Sequence, residues 1–158
     1  GATWGAPFED FPESGWDKVM DLNVRSIFFL TQRLLPRLAA AALPTDPSRI
    51  VNIGSIAGTH AGGGNNYSYK ASKSAVHHLT RMLAAEFGPK HITVNAVAPG
   101  PFETKMMAFA LDDPDQRSRI ERSIPLGRVG GPDDISGVIT FLCSPCRPLR
   151  LRRPSRRP

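Results

Sequence analysis

The sequence predicts an α/β fold with parallel strands, on three observations. Two β-branched runs, "RIVNIGS" at 49–55 and "HITVNAVAPG" at 91–100, lack the alternation of a one-sided sheet and read as buried strands. Between them, Val76, Leu79, Leu83 and Phe87 recur three and four residues apart, the apolar stripe of a core-facing helix over 66–87. A helix of that length between two buried strands makes a β-α-β crossover. The full order reads helix, strand, helix, strand, helix. Two strands are too few for a stable sheet of this type, so flanking strands are expected to be missing.

Each element follows from local signals. Gly1, Gly5, Pro7 and Pro12 make residues 1–13 a loop. Ser14 is placed to cap a helix that runs through Trp16, Val19, Met20, Asn23, Val24, Ile27 and Leu30. Pro36 should interrupt it, and the "PTDPS" turn should follow its end near Leu43. The Gly-rich stretch "AGGGNN" at 61–66 reads as a mobile loop between the first strand and the central helix. Residues 105–124 suggest one or two short polar helices, and "PDDISGVITFLC" a last one with Pro132 in its first turn.

Composition narrows the function classes. A chain of 158 residues, 41% apolar and 22% charged, suits one globular domain. Its longest apolar stretches fall far short of the ~20 residues that span a bilayer, so no membrane span is expected. The net charge of +6 has one source: "RPLRLRRPSRRP" at 147–158 holds six arginines and no acid. Without those six, the 20 basic residues fall to 14, equal to the 14 acidic ones, so residues 1–146 are neutral. Such a tail can attract nucleic acid or acidic lipid, yet its Arg/Pro composition equally describes a disordered terminus. We read 146–158 as that tail and expect no nucleic-acid partner. Cys143 and Cys146 form a lone C-x-x-C with no second pair, and His60, His77, His78 and His91 show no ligand spacing, so no metal is expected. Few cysteines and no basic leader suit a cytoplasmic protein.

The chemistry sits on the central helix. Projecting the apolar stripe backwards brings it to Lys73 and Tyr69, one turn apart on one face. An ammonium beside a phenol stabilises the phenolate, which suits a group that gives and takes a proton. Ser55 ends the first strand, where α/β sheets place their ligand crevice, and Pro99-Gly100 end the second, with Thr104 just beyond. A hydrolytic dyad of Ser55 and Lys73 is the competing arrangement, but it leaves Tyr69 and Thr104 without roles.

In this order, Ser55, Tyr69 with Lys73, and Pro99-Gly100 with Thr104 resemble the short-chain dehydrogenase/reductase family. The similarity continues upstream in "WDKVMDLNV" at 16–24, which contains Asn23, and downstream in "IPLGRVGGPDDISGVITFLCSP" at 124–145. Within the family the likeness is greatest to the 3-oxoacyl (β-ketoacyl) reductases, rhamnolipid-type reductases included. It implies the C-terminal part of a Rossmann-type doubly wound parallel sheet over residues 1–145, lacking its first strands and its last. It also implies NAD(P)H-dependent reduction of a carbonyl, as in a 3-oxoacyl thioester, to a secondary alcohol, with NADP favoured over NAD. By the same resemblance Tyr69 is the general acid, Lys73 stabilises its phenolate and holds the nicotinamide ribose, and Ser55 hydrogen-bonds the carbonyl oxygen. Asn23, at a helix irregularity, holds a water that links Lys73 to solvent, and Pro99, Gly100 and Thr104 cradle the nicotinamide carboxamide. The family's Gly-rich pyrophosphate turn has no counterpart here, and the Asp-Gly-Gly ending is replaced by the Arg-rich tail. An inactive chain that associates with intact subunits is therefore the alternative. A homo-oligomer through the helices bearing Asn23 and Tyr69 is implied as well.

Overall fold

The computed structural model describes residues 1–145; Cys146 and the Arg-rich tail lie outside the described residues, and so does half of the C-x-x-C. The predicted order holds. Helices α1 (Glu13–Met20) and α2 (Ser26–Ala41) are followed by β1 (Ser48–Ile53), α3 (Tyr67–Phe87) and β2 (Ile92–Val97). Then come α4 (Ala108–Leu111), α5 (Pro114–Ser123) and α6 (Pro132–Cys143). The two strands pair in parallel, with Ile50 opposite Val94 and Ile53 opposite Val97, so α3 is a β-α-β crossover.

Three local expectations are corrected. Ser14 does not cap the first helix; the carbonyl of Pro12 receives the N–H groups of Gly15 and Trp16 at 3.0 and 3.1 Å, so Pro12 is the cap and Ser14 lies inside. Pro36 does not interrupt α2. Both Pro36 and Gln32, whose carbonyl the proline leaves without its helical donor, are exposed, so that oxygen is open to water. Between α1 and α2 the chain makes a π-helical turn, Asp21–Arg25, which puts a helix irregularity at Asn23 where the family resemblance implies one. Residues 105–124 do hold two short helices, but α4 is apolar, with Ala110 and Leu111 buried. No described helix is long and apolar enough to cross a membrane.

The core lies under one face of the sheet. Leu83 and Phe87 of α3 meet Ile92 and Val94 of β2, and Leu35 and Leu38 of α2, Ile50 and Leu79 close around them. At ~25 cal/mol per Å² of apolar area, such burial is the main force pinning α3 to the strands. Asn52 interrupts this apolar layer and is satisfied there, its amide donating to the Thr80 hydroxyl at 2.9 Å. These contacts fix how α3 sits on β1, and thereby where its N-terminal half points.

Candidate active site

The N-terminal half of α3 runs past the C-terminal end of β1. Lys73 is 7% exposed, its stem covered between helix and strand. Its Nζ donates to the Ile53 carbonyl, the last of β1, at 2.8 Å, and lies 5.7 Å from the centre of the Tyr69 ring. Among the described residues no carboxylate pairs with it, so burial lowers the Lys73 pKa from its ordinary value. The ammonium thus lies against the ring of Tyr69, on the face that the helical spacing predicts.

Ser55 is buried two residues beyond Ile53. Its Oγ accepts the Ala57 N–H at 3.1 Å, capping a short 3₁₀ turn over Ile56–Gly58. An oxygen fixed as an acceptor in this way keeps its own hydrogen for a second partner. Gly54 donates to the Val97 carbonyl at 2.7 Å, and Ile56 to the Pro99 carbonyl at 3.1 Å, so the segment after β2 lies against the turn that holds Ser55. A Cβ on Gly100 would meet the Ile56 side chain at an ordinary 3.7 Å. Thr104 is exposed, and no hydrogen bond among the described residues ties it to Ser55, Tyr69 or Lys73.

Asn23 is buried within the π-helical turn. Its side chain pairs reciprocally with the backbone of Ala2, at 2.8 and 2.9 Å, and its amide also donates to Ser72 Oγ at 3.0 Å. Ser72 in turn donates to the Tyr69 carbonyl at 2.7 Å. Gly1 closes this corner: a Cβ there would stand 2.9 Å from Asn23 Oδ1 and 3.7 Å from Lys73 Nζ. The structure therefore links Lys73 to Tyr69 and to the end of β1, Asn23 to the same turn of α3 through Ser72, and Pro99 to the 3₁₀ turn that holds Ser55, with Gly100 adjoining.

Sequence reasoning missed three neighbours. Ser72, fully buried, looks like an ordinary helix residue until Asn23 is opposite it. Lys70 reaches back to the carbonyls of Gly62, Gly63 and Gly64, so the Gly-rich loop is tied to α3 next to Tyr69. His77, set aside for want of ligand spacing, lies against the Ser55 peptide; its place one turn after Lys73 was the available signal.

Known proteins resemble this chain over most of its length. The family model described as Enoyl-(Acyl carrier protein) reductase matches residues 1–148. A rhamnolipids biosynthesis 3-oxoacyl-[acyl-carrier-protein] reductase of Pseudomonas aeruginosa is 46% identical, across 90% of this chain and 56% of that protein. The 2-dehydro-3-deoxy-D-gluconate 5-dehydrogenase of Escherichia coli is 38% identical, across 85% of this chain and 52% of its own length. Among solved structures, a Pseudomonas aeruginosa RhlG/NADP active-site complex superposes with a TM-score of 0.87 at 44% identity, covering 91% of this chain and 56% of that one. The chain spans about half the length of the curated relatives it matches, and its two parallel strands with their helices form part of a Rossmann-type sheet. On its sequence and its fold, the chain belongs to the short-chain dehydrogenase/reductase family.

Proposed function

We propose that the chain carries the proton-handling half of an NADPH-dependent carbonyl reductase, acting on a 3-oxoacyl thioester to give a secondary alcohol. The observation that carries this reading is the buried Lys73 ammonium against the Tyr69 ring at the end of β1. The Tyr69 hydroxyl gives its proton to the carbonyl oxygen. Ser55 Oγ, already accepting from Ala57, turns its hydrogen to the same oxygen and stabilises the charge developing there. A nicotinamide, when bound, supplies the hydride to the carbonyl carbon.

The residues present fit such a group. Among the described residues Lys73 Nζ has one protein acceptor, the Ile53 carbonyl, which leaves two N–H groups for ribose hydroxyls. By the family resemblance, Pro99, Gly100 and Thr104 would hold the carboxamide. Asn23 Oδ1 keeps one lone pair beyond its bond from Ala2, enough to hold a water beside Lys73. NADP rather than NAD is favoured by the cofactor in the similar Pseudomonas aeruginosa complex. The 3-oxoacyl substrate class rests on the similar reductase from the same organism.

The test is direct. The chain is mixed with NADPH and a short 3-oxoacyl thioester, and the nicotinamide absorbance is followed. Loss of absorbance that Tyr69→Phe abolishes supports the reading, and absence of NADPH binding sinks it.

One feature favours a second reading, an inactive chain that associates with intact subunits. Among the described strands β1 pairs with β2 alone, and beside β1 runs an open groove of about 550 Å³ lined by Leu22, Ile27, Leu34 and Leu38. Exposed Phe28, Phe29 and Leu30 on α2 and Met82 on α3 support association through the helices bearing Asn23 and Tyr69. Co-elution with a full-length relative, without NADPH oxidation by the chain itself, would favour this reading.

A further inference from the structure

Helix α3 brings a third polar side chain to the end of β1, one turn beyond Lys73. The Nε2 of His77 stands 2.9 Å from the Ser55 carbonyl oxygen and 3.4 Å from the Ser55 amide nitrogen. The imidazole also fills the space beside two glycines. A Cβ on Gly54 would run into the ring, and one on Gly58 would stand 2.7 Å from its Cδ2. The half-buried ring thus packs against the end of β1 and the 3₁₀ turn, the two segments that meet at Ser55.

A single nitrogen cannot serve both the amide and the carbonyl of Ser55. As N–H it donates to the carbonyl; as a lone pair it accepts from the amide. The carbonyl lies at an ordinary hydrogen-bond distance and the amide at the outer limit, a difference that favours the proton on Nε2. The Ser55 carbonyl also accepts the Gly58 N–H at 3.0 Å. Its two lone pairs are therefore filled from two sides, one by the 3₁₀ turn and one by the helix that bears Tyr69 and Lys73. With Oγ also held by the Ala57 N–H, Ser55 is fixed at both its side chain and its carbonyl.

We propose that His77 is a positioning residue, whose Nε2–H bond to the Ser55 carbonyl keeps the serine in register with Tyr69 and Lys73. The proposal rests on the reading of Ser55 as hydrogen-bond donor to a carbonyl substrate, but its test does not require turnover. Long-range ¹H–¹⁵N correlation spectra of the whole chain report which imidazole nitrogen carries the proton. His77 is expected as the Nε2–H tautomer, and an Nδ1–H tautomer overturns the proposal.

Amide hydrogen exchange over residues 54–58 then separates a positioning bond from simple packing. His77→Leu fills the space without a donor, whereas His77→Gln keeps an N–H. Exchange is expected to rise about 3- to 10-fold in His77→Leu, the range one hydrogen bond of ordinary net worth controls, and to return to within about 2-fold in His77→Gln. Unchanged exchange in His77→Leu overturns the proposal. So does faster exchange spread evenly into β2, which would make the ring mere filler. The expected loop protection in a chain that oxidises no NADPH would sink the reductase reading and uphold the His77–Ser55 bond.

Discussion

Asn23 and Ser72, 49 residues apart in the chain, are joined by a hydrogen bond of 3.0 Å between the Asn23 amide and the Ser72 hydroxyl. Ser72 passes the contact on to the Tyr69 carbonyl, and Asn23 also holds the backbone of Ala2. One side chain in a π-helical turn thereby ties the start of the chain to the helix that bears the proposed acid. Asn23→Ala strands the Ala2 backbone groups and removes a buried partner of Ser72. The expected loss is about 1–3 kcal/mol, as for other buried polar groups left unsatisfied, read from urea unfolding midpoints.

Lys73 imposes a pH dependence whose sign can be worked out. Burial lowers its folded pKa below the ordinary 10.5, so between the two values the unfolded chain binds more protons than the folded one. Stability from this group therefore rises with pH through that alkaline interval and is lowest below it. Lys73→Met should flatten the slope, as measured by urea unfolding in a series of alkaline buffers.

Two glycines of one loop should respond oppositely to alanine. A Cβ on Gly58 would stand 2.6 Å from the Lys73 carbonyl carbon and 2.8 Å from its oxygen, both backbone of α3. Neither can move without shifting the central helix, so Gly58→Ala should cost about 1–3 kcal/mol. Around Gly62 nothing lies within 4 Å, and Gly62→Ala should stay within about 0.5 kcal/mol. Thermal or chemical unfolding of the pair checks the contrast.

At the start of α6, Asp134 accepts two bonds from Arg128, at 2.7 and 2.9 Å, and the Gly131 N–H at 2.8 Å. The guanidinium first, and then the amide, hold its carboxyl well below the usual carboxylate range. A depressed folded pKa contributes order above the unfolded value of 3.8 and loses it as pH falls below that. Asp134→Asn should speed amide exchange in the first turn of α6 at neutral pH. The difference from the unaltered chain should shrink only under strongly acid conditions.

The legible part of the fold was the part with a local period. Val76, Leu83 and Phe87 are buried as their spacing on α3 predicts, and the two β-branched runs are the two strands. The same helix also buries Ser68, Ser72 and Thr80, which no apolar pattern marks, because α1, the π-helical turn and β1 happen to cover them. Pro36 was misread for a related reason. A proline rule describes the lost bond, whereas the outcome depends on whether water reaches the freed carbonyl. His77 looked inert because its partner is a peptide group, and the peptide groups of a loop cannot be placed from sequence.

By itself the sequence determined the family, the parallel α/β plan and the placing of Tyr69 and Lys73 on one helical face, since a helix repeats its geometry every turn and strings its side chains accordingly. The tertiary structure alone decided that Asn23 meets Ser72, that Lys73 caps the end of β1, and that His77 reaches Ser55. Each of these joins segments about 20 to 50 residues apart, whose encounter depends on how the core packs α3 against the sheet, a sum of many apolar contacts that no single stretch of chain encodes.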